Sequence, residues 1–126
     1  MLNALSRLAE DLDAPVRWLA FHRHQDGELL DWLTDQGVVP PGLRSRSTTV
    51  IPSSLDTVFA SVRKARLVIP MRLHALILAR LAHCPMAALS YDPKVEAAAA
   101  MAGIPCSSLD ALPAEPTLLK QWREAM

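Results

Sequence analysis

The chain has no excess of either charge, no cysteines in a metal or redox spacing, and no apolar run long enough to cross a bilayer. Its 13 Lys and Arg balance 13 Asp and Glu. That balance argues against a broad nucleic-acid surface, which needs a basic excess. The two cysteines, Cys84 and Cys106, form neither a CxxC nor a disulfide framework, so a reducing compartment is expected. Glu10, Asp11 and Asp13 interrupt the region where a secretory signal needs an apolar stretch. Arg66, Arg72, His74 and Arg80 break the longest apolar region, so no segment is expected to span a bilayer. The expectation is a cytoplasmic protein, with peripheral contact at the inner face of the membrane left open. No internal repeat is present, and 126 residues suffice for one domain with one core.

What is present is alternation. Leu2, Leu5, Leu8, Ala9 and Leu12 recur at helical spacing, so an amphipathic helix opens the chain. Val16 to Phe21 reads as a strand. Asp26 is placed to cap a helix from Gly27 to Gln36, with Leu29, Leu30 and Leu33 inward and Gly37 at its end. Thr48 to Ile51 is β-branched and reads as a strand. Ser53 or Ser54 caps a helix to about Lys64. Arg66 to Pro70 is the next strand, and Leu73 to Cys84 the next helix, with Leu73, Leu76, Ile77, Leu81 and Cys84 on one side. Met86 to Ser90 is a strand. Asp92 is a good N-cap and Pro93 suits the first helical position, in a helix ending at Gly103. Leu118 to Glu124 forms a terminal helix. Val38 to Arg46 and Leu109 to Thr117 read as loops. The order implies βαβ units and a mostly parallel sheet flanked by helices, in one α/β domain over residues 1–126. The chain opens on a helix, where a doubly wound domain usually opens on a strand that becomes central.

Two strand-to-helix turns carry cations. Arg72 and His74 open one helix, and Tyr91-Asp92-Pro93-Lys94 opens the next. In open α/β sheets ligands sit at the carboxyl ends of strands. Helix N-termini favour anions there. Arg offers a fork of donors matched to carboxylate or phosphate, and His can donate to an anion or move a proton near neutral pH. A small, multiply anionic ligand is the expectation. Spacing alone leaves open a local role, with Arg72 capping or salt-bridging and His74 packing. Lys94 opposes the helix dipole, which a bound anion would relieve, but a solvated lysine is the plain alternative. His22 and His24 alternate onto one face near Asp26, yet no third ligand follows at a metal spacing, so no metal is expected. A loop bordering the pocket, with Asp26 as helix cap, accounts for them. Trp18, Trp32 and Trp122 read as core or interface residues rather than stacking platforms. Cys84 reads as inert on an apolar helix face, and His83 as lying near free carbonyls at that helix's end.

The string Met71-Arg-Leu-His-Ala-Leu-Ile-x-Ala79, followed by Pro85 and then Ser90-Tyr91-Asp92-Pro93-Lys94-Val95, resembles the polysaccharide pyruvyl transferases. It is most similar to the CsaB-like branch, which modifies a bacterial cell-wall polymer. The resemblance is specific over residues 66–103, looser over residues 2–65 and weak beyond Gly103. It implies a Rossmann-like domain corresponding to the C-terminal half of a GT-B-type fold. The family's strand and arginine before the first helix, and its N-terminal domain with an acidic catalytic candidate, have no counterpart here. The single domain is therefore expected to be partial and to lack its first strand.

The resemblance also implies chemistry. The family transfers pyruvate from phosphoenolpyruvate to two sugar hydroxyls as a cyclic ketal, with loss of phosphate. Protonation of the vinyl carbon would make C2 electrophilic, and cations would stabilise the departing phosphate. The resemblance places Arg72 and His74 at the donor as catalytic and substrate-binding residues: Arg72 as anion clamp, His74 in phosphate contact or acid catalysis. Lys94 and Tyr91 complete the substrate-binding set. The expected partners are phosphoenolpyruvate as donor substrate, a sugar or lipid-linked saccharide acceptor, and the family's N-terminal domain or a second chain. No cofactor is expected. The chain by itself is expected to be inactive and only marginally folded. Two alternatives stand beside this reading: a non-catalytic remnant or partner-dependent module of the same fold, and a GT-B glycosyltransferase domain. Against the latter, no Glu is placed to hold a ribose.

Overall fold

The computed structural model describes residues 1–19, 29–90 and 92–126. Helices alternate with short parallel strands, as the α/β expectation requires. The chain forms two compact units, Met1–Ser54 and Leu55–Met126. Their division falls after Pro52-Ser53-Ser54, just before a helix.

In the first unit, α1 (Leu2–Leu12) buries Ala4, Ser6, Leu8 and Ala9. It stops at Asp13, which takes the left-handed conformation at φ 48°. The Asp13 N–H donates to the Glu10 carbonyl at 3.1 Å and the Ala14 N–H to the Ala9 carbonyl at 3.0 Å, which satisfies carbonyls the helix end leaves open. β1 (Val16–Leu19) follows. The rest of its expected span, the His22–His24 loop and the Asp26 cap lie outside the described residues. α2 (Leu29–Asp35) buries Leu30, and Gly37 at φ 72° closes it.

The expected loop over Val38 to Arg46 is corrected by α3 (Pro41–Arg46). Two prolines, a glycine and a serine disguise it. Yet Pro41 at the first position suits a helix start, and fully buried Leu43 anchors the turn. β2 (Ser47–Val50) pairs in parallel with β1, Val16 opposite Ser47 through Leu19 opposite Val50. The Trp18 Nε1–H donates to Ser47 Oγ at 3.0 Å, and that hydroxyl donates to the Leu43 carbonyl at 2.7 Å. Trp18 thus braces the strand pair.

In the second unit, α4 (Leu55–Arg63) buries Val58 and Val62. The expected strand Arg66 to Pro70 reduces to one parallel bridge, Val68 opposite Met86. The Val68 N–H donates to the Pro85 carbonyl, and the Ala87 and Leu89 N–H groups donate to the carbonyls of Val68 and Pro70. The ladder's next donor on this segment would be the amide of residue 70, and proline has none. α5 (Leu73–Leu81) ends three residues before Cys84, so Cys84 does not lie on it. Nor do Ile77 and Leu81 face inward: they are 44% and 63% exposed, while Leu76 and Ala79 are buried. A helix apolar almost all round has no single stripe from which to read its inner face.

β3 (Ala88–Ser90) is buried at every residue. α6 (Pro93–Ala102) follows and ends at Gly103, φ 70°. β4 (Cys106–Ser108) pairs in parallel with β3, Ala88 opposite Cys106 through Ser90 opposite Ser108. This strand is absent from the sequence reading, because Cys-Ser-Ser has neither the length nor the β-branched and aromatic content of a strand. α7 (Glu115–Ala125) starts three residues before the expected Leu118, with Pro116 in its first turn. Its Leu118 and Trp122 are buried, and Gln121 Oε1 accepts from Ser107 Oγ at 3.0 Å. Among the described residues, no helix is long and apolar enough to cross a membrane.

Candidate functional site

In the second unit β3 is bonded on both sides, to Val68 and Pro70 on one flank and to β4 on the other. All three segments run in parallel, so Pro70, Ser90 and Ser108 end at one edge. The two cation-bearing helix starts follow the first two of these ends.

Arg72 is the N-cap of α5, in extended conformation at φ −124° and ψ 148°. It is half-buried, and His74, the second residue of the helix, is exposed. The packing role for His74 is therefore excluded. Asp92 is the N-cap of α6, at φ −126° and ψ 124°, and its Oδ1 accepts from the Lys94 N–H at 2.9 Å. Lys94 is the second residue of that helix and is exposed. His74 and Lys94 thus occupy the same position in successive strand-to-helix turns. Tyr91 lies outside the described residues, as do His22, His24 and Asp26.

The two turns differ in charge. The first turn of α5 contains no acid. The first turn of α6 contains exposed Glu96, which already complements the helix dipole. The helix dipole at the start of α5 is thus not complemented by a first-turn acid, whereas that of α6 is.

Ser90 is a contributor that sequence reasoning overlooked. It is fully buried. Its hydroxyl accepts from the Asp92 N–H at 2.9 Å and donates to the Asp92 carbonyl at 2.7 Å. Its own carbonyl accepts from the Leu109 N–H at 2.7 Å. Ser90 thereby fixes the turn that presents Asp92 and Lys94. The available signal was a serine closing an apolar strand two residues before an Asp-Pro helix start, a spacing at which Ser can bond the backbone.

The cysteines take no part in an activated site. Cys84 Sγ donates to the Val62 carbonyl at 2.8 Å. Burial pushes its pKa up, against an opposing pull from Arg63. Burial, and then the Glu96 carboxylate, push Cys106 up as well. Both shifts disfavour the thiolate, the nucleophilic form. Among the described residues, no group of three or more His, Cys, Asp and Glu gathers to hold a metal.

In comparison with known proteins, no family model matches the chain, and no curated protein or solved structure resembles it significantly.

Proposed function

We propose that this chain is the donor-binding part of a polysaccharide pyruvyl transferase, with a Rossmann-like fold corresponding to the C-terminal half of a GT-B enzyme. In this reading it binds phosphoenolpyruvate at the carboxyl edge of the second unit's strands. The observation that supports the reading most is the pair of cation-bearing helix starts behind adjacent parallel strands, carrying the Arg-Leu-His and Tyr-Asp-Pro-Lys strings. Arg72 clamps the donor's carboxylate or phosphate with its fork of donors. His74, exposed in the first turn at the anion-favouring helix end, contacts the phosphate or supplies the proton to the vinyl carbon. Lys94 adds charge from the neighbouring turn, and Ser90 holds that turn in place. The acceptor is a sugar or lipid-linked saccharide, and ketal formation requires the family's other domain or a second chain. The protein works in the cytoplasm or at the inner face of the membrane.

Isothermal titration of phosphoenolpyruvate into the purified chain tests the donor site directly. Saturable binding is expected, weakened at least tenfold in Arg72→Ala. Absence of binding, or binding indifferent to Arg72, sinks the reading. Mass spectrometry of acceptor saccharides incubated with donor and the complementing domain then tests for the ketal itself.

A further inference from the structure

We draw no further inference here: the strongest candidate, the exposed apolar side chains Ile77 and Leu81 on α5 and Met101 on α6, carries nothing because nothing in the structure shows what covers them.

Discussion

Arg72 and His74 sit two residues apart, but their different exposure separates their tests. Arg72 is half-buried at a helix cap. Losing one partner of a desolvated charged contact costs about 2–5 kcal/mol, and partial exposure puts the expected loss of donor affinity at the lower end, about 2 kcal/mol or roughly thirtyfold. Arg72→Lys should restore little of it, because a point charge does not reproduce the fork. Calorimetry on both variants decides this, and full recovery in the lysine variant would rule out bidentate recognition. His74 is exposed, so His74→Gln should shift stability by less than about 0.5 kcal/mol. Any fall in turnover is then a direct effect, and a pH–rate profile unchanged by the substitution would eliminate His74 as the acid. The cysteines give a separate prediction about pH. Both have folded-state pKa values raised above the ordinary 9.0. Below that value the thiols are protonated whether folded or unfolded, and the linkage is silent. Above it the unfolded chain releases these protons first, so stability falls as pH rises toward the folded values. Denaturant melts from pH 8 to 11 should show a shallower alkaline decline in a Cys84→Ala/Cys106→Ala chain. Parallel declines would contradict the burial argument.

Among the elements, the start of α6 depends on two side chains with different expected costs. Asp92→Ala removes an N-cap, typically about 0.5–2 kcal/mol. Ser90→Ala leaves the Asp92 N–H without its partner at a half-buried turn, which puts the cost toward the lower end of about 1–3 kcal/mol. Urea unfolding of both variants checks the order, and a neutral Ser90→Ala would mean that the turn holds itself. Gly42 in α3 goes the other way. A Cβ there would meet Glu10 Oε1 at 2.6 Å, but that atom ends a flexible, exposed side chain that can swing aside. Gly42→Ala should therefore be neutral or stabilising by up to about 1 kcal/mol, and a clear loss would show that Glu10 is fixed against α3. Elements with a cap and a period were legible in the sequence: α1 by its leucine spacing, α6 by Asp92-Pro93 and Gly103. α3 escaped through its proline and glycine content, and the strands depart from expectation through their pairing. β4 has no strand composition and exists because β3 offers it an edge. The Arg66 to Pro70 strand has the composition, but proline interrupts its ladder. The two cationic turns of the candidate site were legible for the same local reason that helix starts are. The tie from Ser90 across to Leu109 was not, because it depends on strand adjacency.

For the molecule as a whole, the two units are built to different depths. β3 is buried at every residue and bonded on both flanks. Among the described residues, β1 and β2 form a two-stranded pair whose residues are half-buried or exposed. Local opening costs least where apolar burial is thin and backbone bonds lie near solvent, and two strands alone are marginal. Hydrogen exchange should therefore find the amides of Ala88 and Leu89 protected at least tenfold more than those of Trp18 and Leu19, a gap of about 1.4 kcal/mol in opening free energy. Equal protection would mean that both units open in a single global event. The same experiment locates the donor. A ligand that binds only the folded form stabilises by about 2.7 kcal/mol at a hundredfold excess over its Kd. If phosphoenolpyruvate sits at the carboxyl edge of the second unit, that added protection must concentrate in residues 72–76 and 92–96 and in β3. Protection confined to Met1–Ser54 would remove Arg72, His74 and Lys94 from the donor site, even if binding itself were tight.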